Sequence, residues 1–255
     1  MAFDYKVPTA FMGATTLVLL LSGFKGINSN HLTTTHLVYA GLRASPESAW
    51  LGLPLPPPPE DPKPATSRDP LLCLITPSST DKSVSEVWSS APYFVWAEKF
   101  LAPEIRSSVA RIAIVLPSSQ TVVWSQRLPI DRESITTPAS PWRLQQLAYD
   151  GVALEAEQIY VWHLLDSHDR SLGSGSFRVM ALAEQRAITA ELASVEEDMA
   201  NQSATAAEIA AAKVQYFADR QMWADAMQMS FSVEAPSTLL VKFQSQIPNR
   251  VCGTP

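Results

Sequence analysis

Residues 109–125 read VARIAIVLPSSQTVVWS. Ala110, Ile112, Ile114 and Leu116 recur every second position, so one face of an extended segment is apolar. Pro117-Ser118-Ser119-Gln120 interrupts the run with turn-forming residues, and Thr121-Val122-Val123-Trp124-Ser125 resumes it. Two β-rich runs around a short polar break read as a hairpin.

The same grammar extends both ways. Residues 71–76, 93–97 (YFVWA), 159–165 (IYVWHLL) and 176–180 (SFRVM) are short runs rich in Val, Ile, Tyr and Trp. Polar residues 166–170 and the glycines at 173–175 separate the last two, so Gly173-Ser174-Gly175-Ser176 reads as a turn before a strand. No long stretch with helical period intervenes, which argues against a parallel α/β sheet. Six or seven short antiparallel strands within about 110 residues predict a β-sandwich over 71–180, with Ile112, Ile114, Trp162 and Leu164 inside.

Beyond Met180 the period becomes helical. Ile188, Leu192, Val195 and Met199 form one stripe. Thr205 with Glu208 is a capping-box pair before AEIAAAKVQYFADR. Trp223, Ala226, Met227 and Phe231 mark a third helix, and residues 237–246 can form a short fourth. The fold class is therefore α+β: an antiparallel sandwich followed by a helical segment at 181–246 and a tail at 247–255.

What precedes the sandwich is of another kind. Residues 7–24 (VPTAFMGATTLVLLLSGF) carry no charge and lie between Lys6 and Lys25. They predict export, with residues 1–27 a cleaved signal peptide or a retained membrane anchor. No Cys follows the run, which excludes a bacterial lipoprotein. Residues 28–70 read as a tether: eight of the chain's 20 prolines lie between Pro54 and Pro70. LGLPLPPPPEDPKP at 51–64 favours extended polyproline II, either a spacer or a docking site for an aromatic-grooved module.

Composition excludes several classes. Of 255 residues, 46% are hydrophobic and 17% charged, so wholesale disorder is ruled out. A net charge of −6 argues against a nucleic-acid binder that works by phosphate neutralisation. Nine glycines form no phosphate-cradling loop, and two cysteines exclude a thiolate-rich zinc module, so no cofactor is predicted. The charge is uneven: residues 181–234 hold nine acidic and three basic side chains, and the rest is balanced. Glu196, Glu197 and Asp198 form a three-acid run, read either as a solvated face or as a docking surface for a basic partner.

Other candidates are weaker. His163 and His168, with Asp166 and Asp169, match no standard ligand spacing and read as a polar hairpin loop; His31 and His36 fall in the tether. No G-x-S-x-G elbow occurs. Carboxylate pairs Glu155/Glu157, Glu196/Glu197 and Asp166/Asp169 keep open the alternative of an envelope hydrolase, without the aromatic cleft such chemistry needs. Cys73 and Cys252 can pair in an oxidising compartment or stand as two free thiols. Most tryptophans read as core, while Ser140-Pro141-Trp142-Arg143 reads as a loop in which an exposed Trp142 beside Arg143 would be a binding hot spot.

The run L-E-A-E-Q-I-Y-V-W at 154–162 resembles the tyrosine-corner region of immunoglobulin-like and fibronectin-type-III-like sandwiches. Leu154, Tyr160 and Trp162 match; Ala156 and Glu157 replace the usual Pro-Gly. The resemblance implies that the Tyr160 hydroxyl bonds to upstream backbone, with Trp162 on the opposite face. Over residues 67–236 the order of features also resembles a cyanobacterial envelope family known only as a domain of unknown function, number 928. Ser67, Arg68, Cys73 and Pro77; Pro92, Phe94 and Trp96; Tyr160 and Trp162; and Trp223, Asp225 and Ala226 carry it. A second Cys expected after the Y-x-W strand is absent, Leu165-Asp166 standing there. Tyr216-Phe217-Ala218, Trp223 and Ala226 resemble the middle of a tetratricopeptide repeat, which implies partner binding, although one partial unit cannot bury its own face. The resulting expectation is a non-enzymatic interaction or structural module of the periplasm or cell envelope. Its partner would be an envelope protein or peptide, not a nucleic acid, and it would touch membrane only through residues 7–24, if these are not cleaved.

Overall fold

The computed structural model describes residues 53–57, 71–77, 84–99, 108–129, 135–136 and 140–253, all within the unit Pro46–Pro255. The apolar segment 7–24, Ser67, Arg68, His31 and His36 lie outside the described residues, as do tether residues 28–52 and 58–70. Among the described residues, no helix is long and apolar enough to cross a membrane.

The strands are β1 (Leu72–Thr76), β2 (Ser85–Val87), β3 (Tyr93–Lys99), β4 (Arg111–Leu116), β5 (Thr121–Arg127), β6 (Ile135–Thr136), β7 (Trp142–Ala148), β8 (Ile159–Leu165) and β9 (Ser171–Val179). They form two sheets, ordered β1-β3-β7-β6 and β2-β9-β8-β4-β5. Each pairing is antiparallel except that of β2 with β9, which is parallel. Helices α1 (Leu182–Asn201), α2 (Ala206–Asp219), α3 (Trp223–Phe231) and α4 (Thr238–Val251) follow. The class is α+β, two mostly antiparallel sheets with a C-terminal helical segment.

Period two does what it should in the second sheet. Register sets Ile112 opposite Leu164 and Ile114 opposite Trp162, and all four are fully buried. They meet Leu72, Leu74, Phe94 and Trp96 of the first sheet in one core, where the Phe94 and Trp162 rings lie 5.2 Å apart. Tyr160 shares that core. Tyr160 and Trp162 thus point the same way, not to opposite faces, because side chains two apart on a strand must. Gly173 and Gly175 lie inside β9 rather than in a turn. A Cβ on Gly175 would come within 2.6 Å of the Trp162 indole nitrogen, so the glycine is the room that the indole occupies.

The first sheet is covered on both faces. Every residue of β1 is buried, and β3 carries the unbroken buried run Phe94-Val95-Trp96-Ala97. The outward set, Cys73, Ile75, Val95, Ala97, Trp142 and Leu144, packs with Leu192, Val214, Phe217, Met227, Phe231, Leu240, Phe243 and Ile247 of the helices. The described residues of the unit Pro46–Pro255 therefore form three layers: outer sheet, central sheet, helices. Central strands read as continuous apolar runs for that reason.

The helices begin and end where local chemistry dictates. Thr205 and Glu208 make the reciprocal capping box of α2, and the Ser237 hydroxyl accepts from Leu240 N–H at α4. Helices α1 and α2 each close with a pair of reversed hydrogen bonds, Ala204 to Met199 with Ser203 to Ala200, and Met222 to Phe217 with Gln221 to Ala218. The residues at these ends, Ser203 and Gln221, take left-handed φ values of 61° and 60°, a position that glycine usually fills. Helix α4 runs to Val251, past the residue 246 boundary predicted from sequence.

Candidate functional site

Among the described residues, two sets of contacts stand out in fastening the helical layer to the sheets. The first is the turn after β2. Trp88 N–H donates to Asp225 Oδ1 at 3.0 Å. The Trp88 indole donates to Gln185 C=O of α1 at 3.1 Å, and its ring lies 5.7 Å from Phe217 of α2. One tryptophan thus touches three helices. Asp225 sits in the first turn of α3 and is completely buried. Burial pushes its carboxyl up to about 7, against the pull of the Trp88 and Ser89 backbone N–H groups. Its Oδ2 has no hydrogen-bond partner, the arrangement of a carboxyl that favours its neutral form.

The second fastening is the C-terminal end of α4. Cys252 is disulfide-bonded to Cys73 of β1, with Cα atoms 5.8 Å apart and 179 positions between them in sequence. Asn249 Oδ1 accepts from the Ser140 hydroxyl at 2.9 Å. Arg250 Nε donates to Pro56 C=O at 3.0 Å, and Gly253 C=O accepts from the Trp142 indole at 3.1 Å. Four residues at one helix end thereby hold β1, the entry to β7 and the proline-rich segment.

That geometry relocates Trp142. It opens β7 instead of lying in a loop, and it is only 8% exposed. Its ring fills the helical core, with the Lys99 ammonium 6.0 Å from its centroid. It is a packing residue, not an exposed hot spot. Arg143 is half-buried on the same strand, in register opposite Glu98.

Glu196, Glu197 and Asp198 are exposed on α1. Glu196 is ion-paired with Lys213 of α2, so it braces the α1–α2 hairpin, while Glu197 and Asp198 face solvent. Leu192 is the sole buried residue of this 20-residue helix. Glu191 accepts from the Tyr216 hydroxyl at 2.8 Å and from Arg220 at 2.7 Å, adding a second brace on the same side.

The other carboxylates do structural work. Asp166 accepts from the backbone N–H groups of His168 and Arg170 and from the Arg170 guanidinium; the Arg170 N–H leads these bonds in holding its carboxyl below the usual range. Asp169 has φ 59° and pairs with Arg111 at 2.8 Å. Residues 166–169 are thus a braced turn. His163 is half-buried, and desolvation lowers its pKa; Nδ1 lies 3.5 Å from the Ser171 hydroxyl. Among the described residues no group of three His, Cys, Asp or Glu is placed to hold a metal. Glu155 N–H donates to the Tyr160 hydroxyl at 2.9 Å, and Glu157, at φ 62°, donates its N–H to Val179 C=O. Both belong to the turn that leads into β8.

Two site residues escape a reading of the sequence for function. Asp225 enters only through a motif resemblance, although an Asp between Ala224 and Ala226 in an apolar helical turn is itself a signal. Arg250 gives no signal, because its partner lies 194 positions away.

No family model matches the chain, and no curated protein is similar to it. Among solved structures, Astrotactin-2, a conserved vertebrate-specific and perforin-like membrane protein involved in neuronal development, is similar at 11% identity with a TM-score of 0.25. The match covers 68% of this chain and 38% of that one, and a likeness this low carries no argument.

Proposed function

We propose that the chain is an exported interaction module of the cell envelope, an immunoglobulin-type sandwich carrying a helical layer that docks a protein partner. The observation that carries this reading is the Cys73–Cys252 disulfide, because such bonds persist in oxidising compartments and are rare in the cytosol of mesophiles. Residues 7–24 supply the export signal or anchor, and the chain meets membrane through them if they are not cleaved. The strand orders support the immunoglobulin type: β1-β3-β7-β6 and β2-β9-β8-β4-β5 correspond to A-B-E-D and A′-G-F-C-C′. The Tyr160 hydroxyl bonded five residues upstream corresponds to the tyrosine corner of that fold. Membership of the cyanobacterial family of unknown function number 928 is part of the same proposal. It is supported by the meeting of motif residues Phe94, Trp96 and Trp162 in one core.

The docking surface is the outer face of α1. Glu197 and Asp198 are exposed beside Glu196, and charge in that pattern steers a basic partner. Two measurements test the reading. Residues 1–70 fused to a reporter active only outside the cytoplasm should give an active reporter; an inactive cytosolic fusion removes export. Replacing Glu196, Glu197 and Asp198 together by Lys should slow association with the envelope partner and reduce its salt dependence, since exposed charges act over ~8 Å at physiological salt. Unchanged binding at low salt would reduce the acidic run to a solvated face.

A further inference from the structure

Residues 53–57, Leu-Pro-Leu-Pro-Pro, lie against the helical layer although their sequence reads as spacer. Leu53 and Pro56 are buried, Pro54 and Leu55 half-buried and Pro57 exposed. Burial returns after three residues, the period of a polyproline II helix, rather than after two or 3.6. Leu53, 7% exposed, joins the cluster that contains Phe243 and Ile247 of α4, and Leu55 packs against it. Arg250 Nε holds the Pro56 carbonyl. No strand includes this segment. One buried edge and a captured carbonyl are how an apolar groove reads an extended, proline-rich ligand.

The connection matters as much as the seat. Thirteen residues, 58–70, separate Pro57 from Leu71. Fully extended, they reach ~45 Å, comparable with the ~44 Å diameter of a compact unit with a radius of gyration of ~17 Å. The segment can therefore reach the same groove on a neighbouring molecule, where its contacts would be identical.

We propose that this groove is a recognition site for an extended Leu-Pro-Leu-Pro segment, filled in cis by residues 53–57 and in trans by the same segment of a second copy of the chain. This surface is separate from the acidic face of α1 and does not rest on it. Identical contacts leave local concentration to choose between cis and trans, as in domain swapping.

The test uses the full chain carrying Leu53→Asp and Leu55→Asp, which empties the groove, and a labelled peptide of residues 51–59 as probe. Fluorescence anisotropy should show the peptide bound to the double variant. Binding to the wild-type chain should be at least tenfold weaker, because its own segment competes at an effective concentration on the order of millimolar. Adding Arg250→Ala should weaken peptide binding several-fold, and a peptide with both leucines changed to Asp should not bind. Because the contacts are identical, the dissociation constant of the exchange equals that effective concentration, so sedimentation of wild-type chain mixed with the double variant at about 1 mM should reveal a heterodimer. Equal binding by wild type and variant, or none by a folded variant, overturns the recognition site; peptide binding without a heterodimer overturns the exchange. Should the Asp pair not fold, Leu53→Ala with Leu55→Ala replaces it. Unfolding of both variants also overturns the proposal, since a displaceable segment is not required for the fold.

Discussion

Changing Asp225 to Asn removes a titration from the junction between α3 and the sheets while keeping its shape. The carboxyl is completely buried, and its pKa rises from 3.8 to about 7. A pKa raised in the folded state means that stability is fully present below the unfolded value and is lost as pH rises through the folded one. Between pH 4 and 7 the unfolded chain has released this proton and the folded chain still holds it, so each unit of pH favours unfolding. Roughly three units at about 1.4 kcal/mol each amount to about 4 kcal/mol lost from pH 4 to pH 8. In Asp225→Asn, the remaining side-chain oxygen still accepts from Trp88 N–H, and a neutral amide replaces the ionisable group. The variant should match the wild type within about 1 kcal/mol at pH 4 and exceed it by a few kcal/mol at pH 8. Urea unfolding followed by tryptophan fluorescence at both pH values, with the disulfide intact, measures this. A variant less stable than wild type at pH 8 would refute the reasoning, because the backbone N–H groups would then be solvating an ionised carboxylate well enough to need its charge.

Cys252→Ser should lower stability by about 3–5 kcal/mol, the chain-entropy scale for so long a closed loop; calorimetry should show the loss and show that reductant no longer shifts the melting temperature of the variant. Tyr160→Phe strands the Glu155 N–H at a cost of about 1–3 kcal/mol, read from denaturant midpoints with an unchanged m-value. Ser203→Gly relieves a left-handed φ of 61° and should raise stability by about 0.5–1 kcal/mol, the left-handed penalty less the entropy glycine loses; a fall in melting temperature would show that Ser203 makes a compensating contact.

The sandwich was legible where one face meets water. Residues 159–164 alternate because Ile159, Val161 and His163 face outward while Tyr160, Trp162 and Leu164 are buried; in β4 period two likewise identifies Ile112 and Ile114 as core, although Ala113 between them is buried too. Alternation fades in β1, buried throughout, so LCLIT identifies a strand but not what covers it. Thr205 and Glu208 mark the start of α2 because a cap is satisfied by residues three apart, information that local sequence carries in full. The glycines of β9 were opaque, since only the Trp162 indole across the register explains them. Trp142 was opaque too: Pro141 and Ser140 announce a break in the chain, and nothing local says that a helix end closes over it.

Sequence alone therefore determined what depends on neighbours in the chain: strands of period two, helices of period 3.6, a capping box and an acidic surplus in the helices. Tertiary structure decided what depends on partners far along it. Cys73 meets Cys252, Trp88 meets Asp225 across 137 positions, and Pro56 meets Arg250. Each of these contacts requires two segments whose separate patterns hold no record of the other, and only the stacking of helices on the central sheet brings them within bonding distance.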